Sequence, residues 1–346
     1  MKNVILFLSV LTCLLCFSCD HNSQSLLLPY PDIAYKITYA SILDKKIHII
    51  DYNGENDVIL DNLGFEPYYP KWSPDGERIL FTCFHDHRDL FILNADGSDL
   101  KRLTNTPDIP ELSYSWSPDG SEILFRKGEG HTWELFVLRI GVTEPEQLTR
   151  MSTKCIFPSW SPDGSQIVFS ADEETDTIYI VNRNDKTVQK LYSAVIKENY
   201  LGCPKWSPDG TKISFFEGFI ISKIKIMNAD GSCVRTLVSG KGVFRDYDWS
   251  PDGDVIVFSE DYDIKLVDMN GKITQLTNDS DFDDSPVFSP DGMMIAYCSK
   301  DTPLWSSVSG YKDSYIKVIF RYQNFNRQPF IAGRSINMFD WYPVVH

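Results

Sequence analysis

The sequence predicts an all-β fold, a seven-bladed β-propeller built from four-stranded antiparallel blades. Three observations predict it. The string Trp-Ser-Pro-Asp-Gly stands at Trp72–Gly76, Trp116–Gly120, Trp160–Gly164, Trp206–Gly210 and Trp249–Gly253, and a sixth copy, Phe288–Gly292, has Phe for Trp. Successive copies lie 44, 44, 46, 43 and 39 residues apart, the period of one propeller blade. A seventh unit is split between the two ends of the chain.

Each element of the repeat has a physical reason. Pro fixes φ near −65° at the second position of a tight turn, Asp bonds back to nearby N–H groups, and Gly accepts the positive φ that ends the turn. The motif aspartates Asp75, Asp119, Asp163, Asp209, Asp252 and Asp291 therefore read as turn-formers rather than catalytic acids. The motif aromatic belongs on the innermost strand, where neighbouring blades need bulky apolar filling. Past the motif comes an apolar triplet, as in Ile79-Leu80-Phe81, Ile123-Leu124-Phe125 and Ile256-Val257-Phe258, which reads as the second strand. Third strands follow at Leu90–Leu93, Leu135–Leu138, Ile178–Val181, Ile224–Met227, Ile264–Val267 and Ile316–Ile319, several running into turns such as Asn94-Ala95-Asp96-Gly97. Fourth strands close the units around Leu103-Thr104, Leu148-Thr149, Leu191-Tyr192, Leu237-Val238, Leu276-Thr277 and Phe330-Ile331.

The N-terminal unit lacks a Trp-Ser-Pro segment. Asp32-Ile33-Ala34-Tyr35 matches the apolar triplet, Lys46–Asn53 the third strand and Val58-Ile59-Leu60 the fourth. The missing inner strand stands at the other end, as Phe339-Asp340-Trp341-Tyr342-Pro343. Pairing of the C-terminal strand with the N-terminal blade would close the ring and leave no open sheet edge at the seam.

With these motifs in place, the chain resembles the WD40-like propeller repeats of the TolB family, which also occur in the propeller domains of prolyl-oligopeptidase-type peptidases. The resemblance extends over the repeats and implies an envelope propeller that binds proteins. TolB carries a separate N-terminal domain and fewer blades, whereas here only Asp20–Pro31 precedes the ring.

Composition sets outer bounds. The formal net charge is −15, which repels phosphate backbones and argues against nucleic-acid binding. Lys2 and the apolar stretch Val4–Phe17 form a signal segment too short to span a bilayer. The Ser18-Cys19 junction that ends it, followed at once by polar residues, resembles a bacterial lipoprotein signal. The expected organisation is a signal peptide over 1–18, a tether over 19–31 that begins with lipidated Cys19, and the propeller over 32–346. Acyl chains on Cys19 would be the only membrane contact, holding the protein to the bacterial envelope on its periplasmic or outer-membrane side. Cys83, Cys155, Cys203, Cys233 and Cys298 show no C-x-x-C spacing, so they indicate neither a zinc site nor a disulfide framework.

Strings for catalysis are missing. No G-x-S-x-G, H-E-x-x-H or P-loop string occurs, and no residues remain for an α/β hydrolase domain. A non-catalytic protein that needs no cofactor or metal is expected. The unusual residues fall on loops between second and third strands: His85, His87 and Arg88; His131 and Trp133; Trp305 and Tyr311. Loop aromatics and histidines on one propeller face are candidate anchors for an envelope protein or peptide. Solvated histidines and rings folded back over their own blade are the plainer alternative. Some seven-bladed polysaccharide lyases hold a histidine-rich metal site at the centre, so a carbohydrate-binding or lyase-like propeller is the competing function. Asp281, Asp283 and Asp284 read as a solvated acidic cluster ahead of the sixth inner strand.

Overall fold

The structure, a computed structural model, describes residues 35–61, 63–84, 88–105, 112–173, 175–194, 201–218, 223–240, 242, 244–300, 314–321, 330–334 and 336–343. Among them there is no helix; the strands form five four-stranded antiparallel sheets and one eight-stranded sheet. The eight-stranded sheet consists of the units begun by Leu112–Trp116 and Lys154–Trp160, joined by a single parallel bridge between Trp133 and Lys154.

The motif sets one register throughout. Each motif aromatic lies opposite the first residue of its triplet, as in Trp72 with Ile79, Trp116 with Ile123, Trp206 with Ile213 and Phe288 with Ile295. The C-terminal strand Ile336–Trp341 pairs antiparallel with Lys36–Ser41, and Trp341 stands opposite Ile37. This corrects the sequence alignment of the N-terminal unit. The equivalent of the apolar triplet is Ile37-Thr38-Tyr39, four residues beyond Ile33-Ala34-Tyr35, and Tyr35 precedes the strand. Both triplets have an apolar residue first and an aromatic last. Without a motif Gly upstream, nothing in the sequence chooses between them.

The turns work through their serine and aspartate. Ser73 Oγ donates to Asp75 Oδ1 at 2.5 Å, the Glu77 N–H donates to the same carboxylate at 3.0 Å, and Arg78 N donates to Ser73 Oγ at 2.9 Å. The same Ser–Asp bond recurs at Asp119, Asp163, Asp209, Asp252 and Asp291 at 2.5–2.6 Å. At Asp119 the Ser117 hydroxyl, then the Ser121 N–H, hold the carboxyl below its ordinary range. The six motif glycines all have φ between 69° and 73°.

Neighbouring sheets share their cores, which is why the triplets are apolar on both faces. Ile79 and Phe81 pack with Ile47, Ile49 and Leu60 of the preceding sheet, while Leu80 packs with Tyr114 and Trp116 of the next. A threonine staples fourth strands to third strands. Thr104, Thr149 and Thr277 accept the N–H groups of Leu90, Leu135 and Ile264 at 3.0, 2.9 and 2.9 Å. Asp283 corrects the reading of a solvated acidic cluster. It is fully buried, on the connection into Asp284–Phe288, and neither carboxylate oxygen has a hydrogen-bond partner. Cys155 and Cys203 are free thiols.

Candidate functional site

Inner strands break their ladder at a fixed place. The register shifts between Tyr68 and Lys71, Leu112 and Ser115, Ile156 and Ser159, Gly202 and Lys205, Phe244 and Tyr247, and Asp284 and Val287. At five of these bulges a residue other than Gly takes positive φ: Tyr69, Ser113, Phe157, Cys203 and Ser285, with φ of 51–55°. Such backbone is costly outside Gly and held by its surroundings. Each stands three positions before its motif aromatic.

A cavity of about 840 Å³ lies against these bulges and takes walls from several inner strands. The residue just before the motif Trp lines it in five units: Lys71, Ser115, Ser159, Lys205 and Asp248. Most of its ionisable groups are committed. The Lys205 ammonium donates to the Tyr247 carbonyl and lies 3.7 Å from Asp246 and 3.8 Å from Asp248. Burial alone would lower its pKa; Asp246 and Asp248 outweigh that and hold it above the ordinary lysine value. Asp248 also accepts the Phe288 N–H at 3.2 Å, and Asp340 accepts the Trp72 N–H at 2.9 Å. Burial raises the pKa of both carboxyls, against the pull of Lys205 on Asp248 and of Lys71 on Asp340. Burial likewise pushes the Cys203 thiol up to about 12, so it supplies no thiolate nucleophile at neutral pH. The Tyr247 hydroxyl is engaged by the Cys203 carbonyl and by Ser214.

A second hollow, about 830 Å³, runs beside Ile92–Asn94 and Ile140–Pro145. Three of its four cations are tied, Arg102 to buried Asp89, Lys101 to Asp99 at 2.6 Å and Arg78 to Asp75 at 3.1 Å, and the fourth, Lys127, lies 5.8 Å from the Phe136 ring centre. The cavity between the inner strands is the better candidate, because residues of five repeat units line it.

The loop candidates are distributed differently. His131 is exposed in the turn after Gly130. Trp133 is half-buried; its indole N–H donates to the Gly130 carbonyl at 3.2 Å, and the Arg126 guanidinium lies 5.2 Å from its ring centre. Trp133 stands on the strand Thr132–Arg139 rather than on a loop, and Arg126, on the adjacent strand, also lines the cavity between the inner strands. Arg88 begins the strand Arg88–Asn94. His85, His87, Trp305, Tyr311 and the lipidation candidate Cys19 lie outside the described residues. Among the described residues no group of three or more His, Cys, Asp or Glu is placed to hold a metal ion. Sequence reasoning missed Lys71, Lys205, Asp246, Asp248 and Asp340. The signal was available, because each stands one or three residues before a motif aromatic whose place in the repeat was already known.

Comparison with known proteins agrees with this architecture. Residues 87–309 match the TolB beta propeller domain family model. The chain belongs to that family. A search of curated proteins gives no match. Among solved structures, TolB from Acinetobacter baumannii is 18% identical, with a TM-score of 0.53 over 90% of this chain and 83% of that one. An oligogalacturonate lyase in complex with manganese is 14% identical, with a TM-score of 0.61 over 83% of this chain and 82% of the lyase. A puromycin-hydrolyzing peptidase from Mycobacterium tuberculosis is 12% identical, with a TM-score of 0.65 over 88% of this chain and 54% of the peptidase. At these identities the likeness is one of fold, and this TolB-like propeller shares it with lyases and peptidases.

Proposed function

We propose that the chain is a non-catalytic binding propeller of a bacterial envelope, anchored by lipid at Cys19 and closed into seven blades by its own C-terminal strand. Its axial cavity and loop face take a protein or peptide partner. The observation that carries the binding reading is the axial cavity, where Lys205, Asp248 and the Tyr247 hydroxyl are tied into bonds between strands. Its volume of about 840 Å³ suits an extended segment or a small ligand rather than a folded domain.

Two circuits support the closed ring. Seven apolar clusters link successive units, and the last joins Met294, Ile316 and Val318 to Ile37, Tyr39 and Trp341. On the turns, Gly120, Gly164, Gly210, Gly253 and Gly292 each face the proline of the preceding motif, and Gly76 faces Tyr342. Trp341 adds a hydrogen bond from its indole N–H to the Val287 carbonyl at 3.2 Å. Attachment to the envelope rests on the apolar stretch and the Ser18-Cys19 junction.

The test is photo-cross-linking in the native membrane. A cross-linkable residue at Tyr69, 40% exposed beside the cavity, is expected to capture an envelope protein. The same residue at Val188, equally exposed on an outermost strand, is expected to capture none. Equal capture at both sites, or none at Tyr69, would overturn the reading. So would release of unsaturated product from oligogalacturonate, with or without manganese, because a lyase-like propeller would then be the better description.

A further inference from the structure

We propose that the axial cavity recognises the free C-terminal carboxylate of a peptide, with Lys71 as its ion-pair partner. This rests on the reading above that the cavity binds a protein or peptide, and it names the chemical group received.

Charge on the cavity wall runs against the rest of the chain. The whole sequence carries −15, yet the lining residues include three cations, Lys71, Arg126 and Lys205, and two carboxylates, Asp246 and Asp248. The cations are not equivalent. Lys205 is spanned by both carboxylates, and the Arg126 guanidinium covers Trp133. Lys71 is half-buried and, among the described residues, its ammonium has no carboxylate within ion-pair distance. Asp340, whose carboxyl feels the Lys71 charge, already accepts the Trp72 N–H. A half-buried ammonium with no carboxylate at ion-pair distance keeps its N–H donors available to an anion. Ser115 lines the same wall, and its hydroxyl has no hydrogen-bond partner.

The identity of the anion follows from what surrounds Lys71. A polyuronate brings a carboxylate on every ring, and Asp246 and Asp248 on the same wall would repel the further ones. A peptide end brings a single carboxylate followed by amide N–H groups, which those aspartates can accept. One open cation and several acceptors match a chain end.

The test uses the full chain in detergent and calorimetric titration. The probes are N-acetylated hexapeptides of randomised sequence with free C-termini, the matched C-terminal amides, and trigalacturonate. The free acids are expected to bind about tenfold more tightly than the amides, the worth of one charge-assisted contact. Lys71→Met is expected to remove that preference by weakening the free acids to the level of the amides, and Lys71→Arg to retain the preference. Equal binding of acid and amide pools would overturn the proposal while leaving peptide binding in place. A preference that survives Lys71→Met, or tighter binding of trigalacturonate, would also overturn it. Absence of binding by either peptide pool would overturn it too; only if no cross-link forms at Tyr69 does the broader reading fall with it.

Discussion

Asp283 occupies a place meant for an apolar residue, and its replacement by Asn tests what that costs. It stands five residues before the motif Phe288, where Cys155, Leu201 and Phe244 fill the equivalent positions with buried apolar side chains. Burial pushes its carboxyl from the ordinary 3.8 up to about 6, against the pull of the Ser299 and Thr277 hydroxyls and then of Lys317. Those hydroxyls are near, yet neither reaches bonding geometry, and the Ser299 hydroxyl is itself unpartnered. Nearby Asp279 raises the carboxyl further, and Lys317 is held by Asp281 at 2.5 Å. The sign follows from linkage. Between about pH 4 and pH 6 the folded protein keeps a proton that the unfolded chain has released, so stability falls as pH rises through this window. A carboxyl moved from 3.8 to about 6 costs the fold about 3 kcal/mol once ionised. Asp283→Asn keeps the shape, removes the charge and offers Ser299 a donor. Urea unfolding of both proteins from pH 4 to pH 8 is expected to give a gain of about 3 kcal/mol for the variant at pH 7–8, vanishing near pH 4. A difference that stays flat across the range, or a variant less stable at pH 8, would refute the reasoning.

Four further substitutions probe the repeat units. Gly76→Ala places a Cβ 2.7 Å from the Tyr342 ring at a φ of 70°, whereas Gly164→Ala at φ 71° meets only Pro118 at 3.7 Å. Urea unfolding is expected to show a loss of about 1 kcal/mol for Gly164→Ala and about 2–4 kcal/mol for Gly76→Ala. Thr149→Val takes the hydroxyl from the Leu135 N–H and from Glu134 Oε2, which it joins at 2.9 and 2.5 Å, and is expected to cost about 1–3 kcal/mol by the same measurement. Trp341→Ala removes a buried ring that packs on Tyr35 and bonds to Val287, for an expected loss of about 3–5 kcal/mol and a lower thermal midpoint.

Repetition made most of the fold readable. Six copies of one turn fix the second strand, its register and the aromatic opposite it, because Pro, Asp and Gly each satisfy a local backbone demand that distant contacts do not alter. Legibility fails where that turn is absent. The N-terminal unit has none, and its frame slipped by four residues, from Ile37 to Ile33. It fails again at Asp283, since a charged residue in a connecting segment is ordinarily solvated and only the folded neighbours reveal its burial. At Trp133 the sequence leaves open an anchor on a loop or a ring folded back over its own blade, and the Arg126 and Gly130 contacts are visible only in the fold.

The same repetition explains why the cavity-lining residues escaped notice. Packing between sheets dictates the motif aromatic and the triplet, so those positions hardly vary. The residue just before the aromatic is subject to no such demand. It is Lys71, Ser115, Ser159, Lys205, Asp248, Val287 and Asp340 in the successive units, a mixture of charges, hydroxyls and one aliphatic side chain. Where the fold leaves a position free, its composition is available to the ligand. Asp248 and Asp340 also bridge to the next inner strand, so part of this set serves the ring itself. Subtracting those two, and Lys205, which Asp246 and Asp248 engage, leaves Lys71 as the charged member outside any ion pair among the described residues, which is the physical ground for the proposal made at that position.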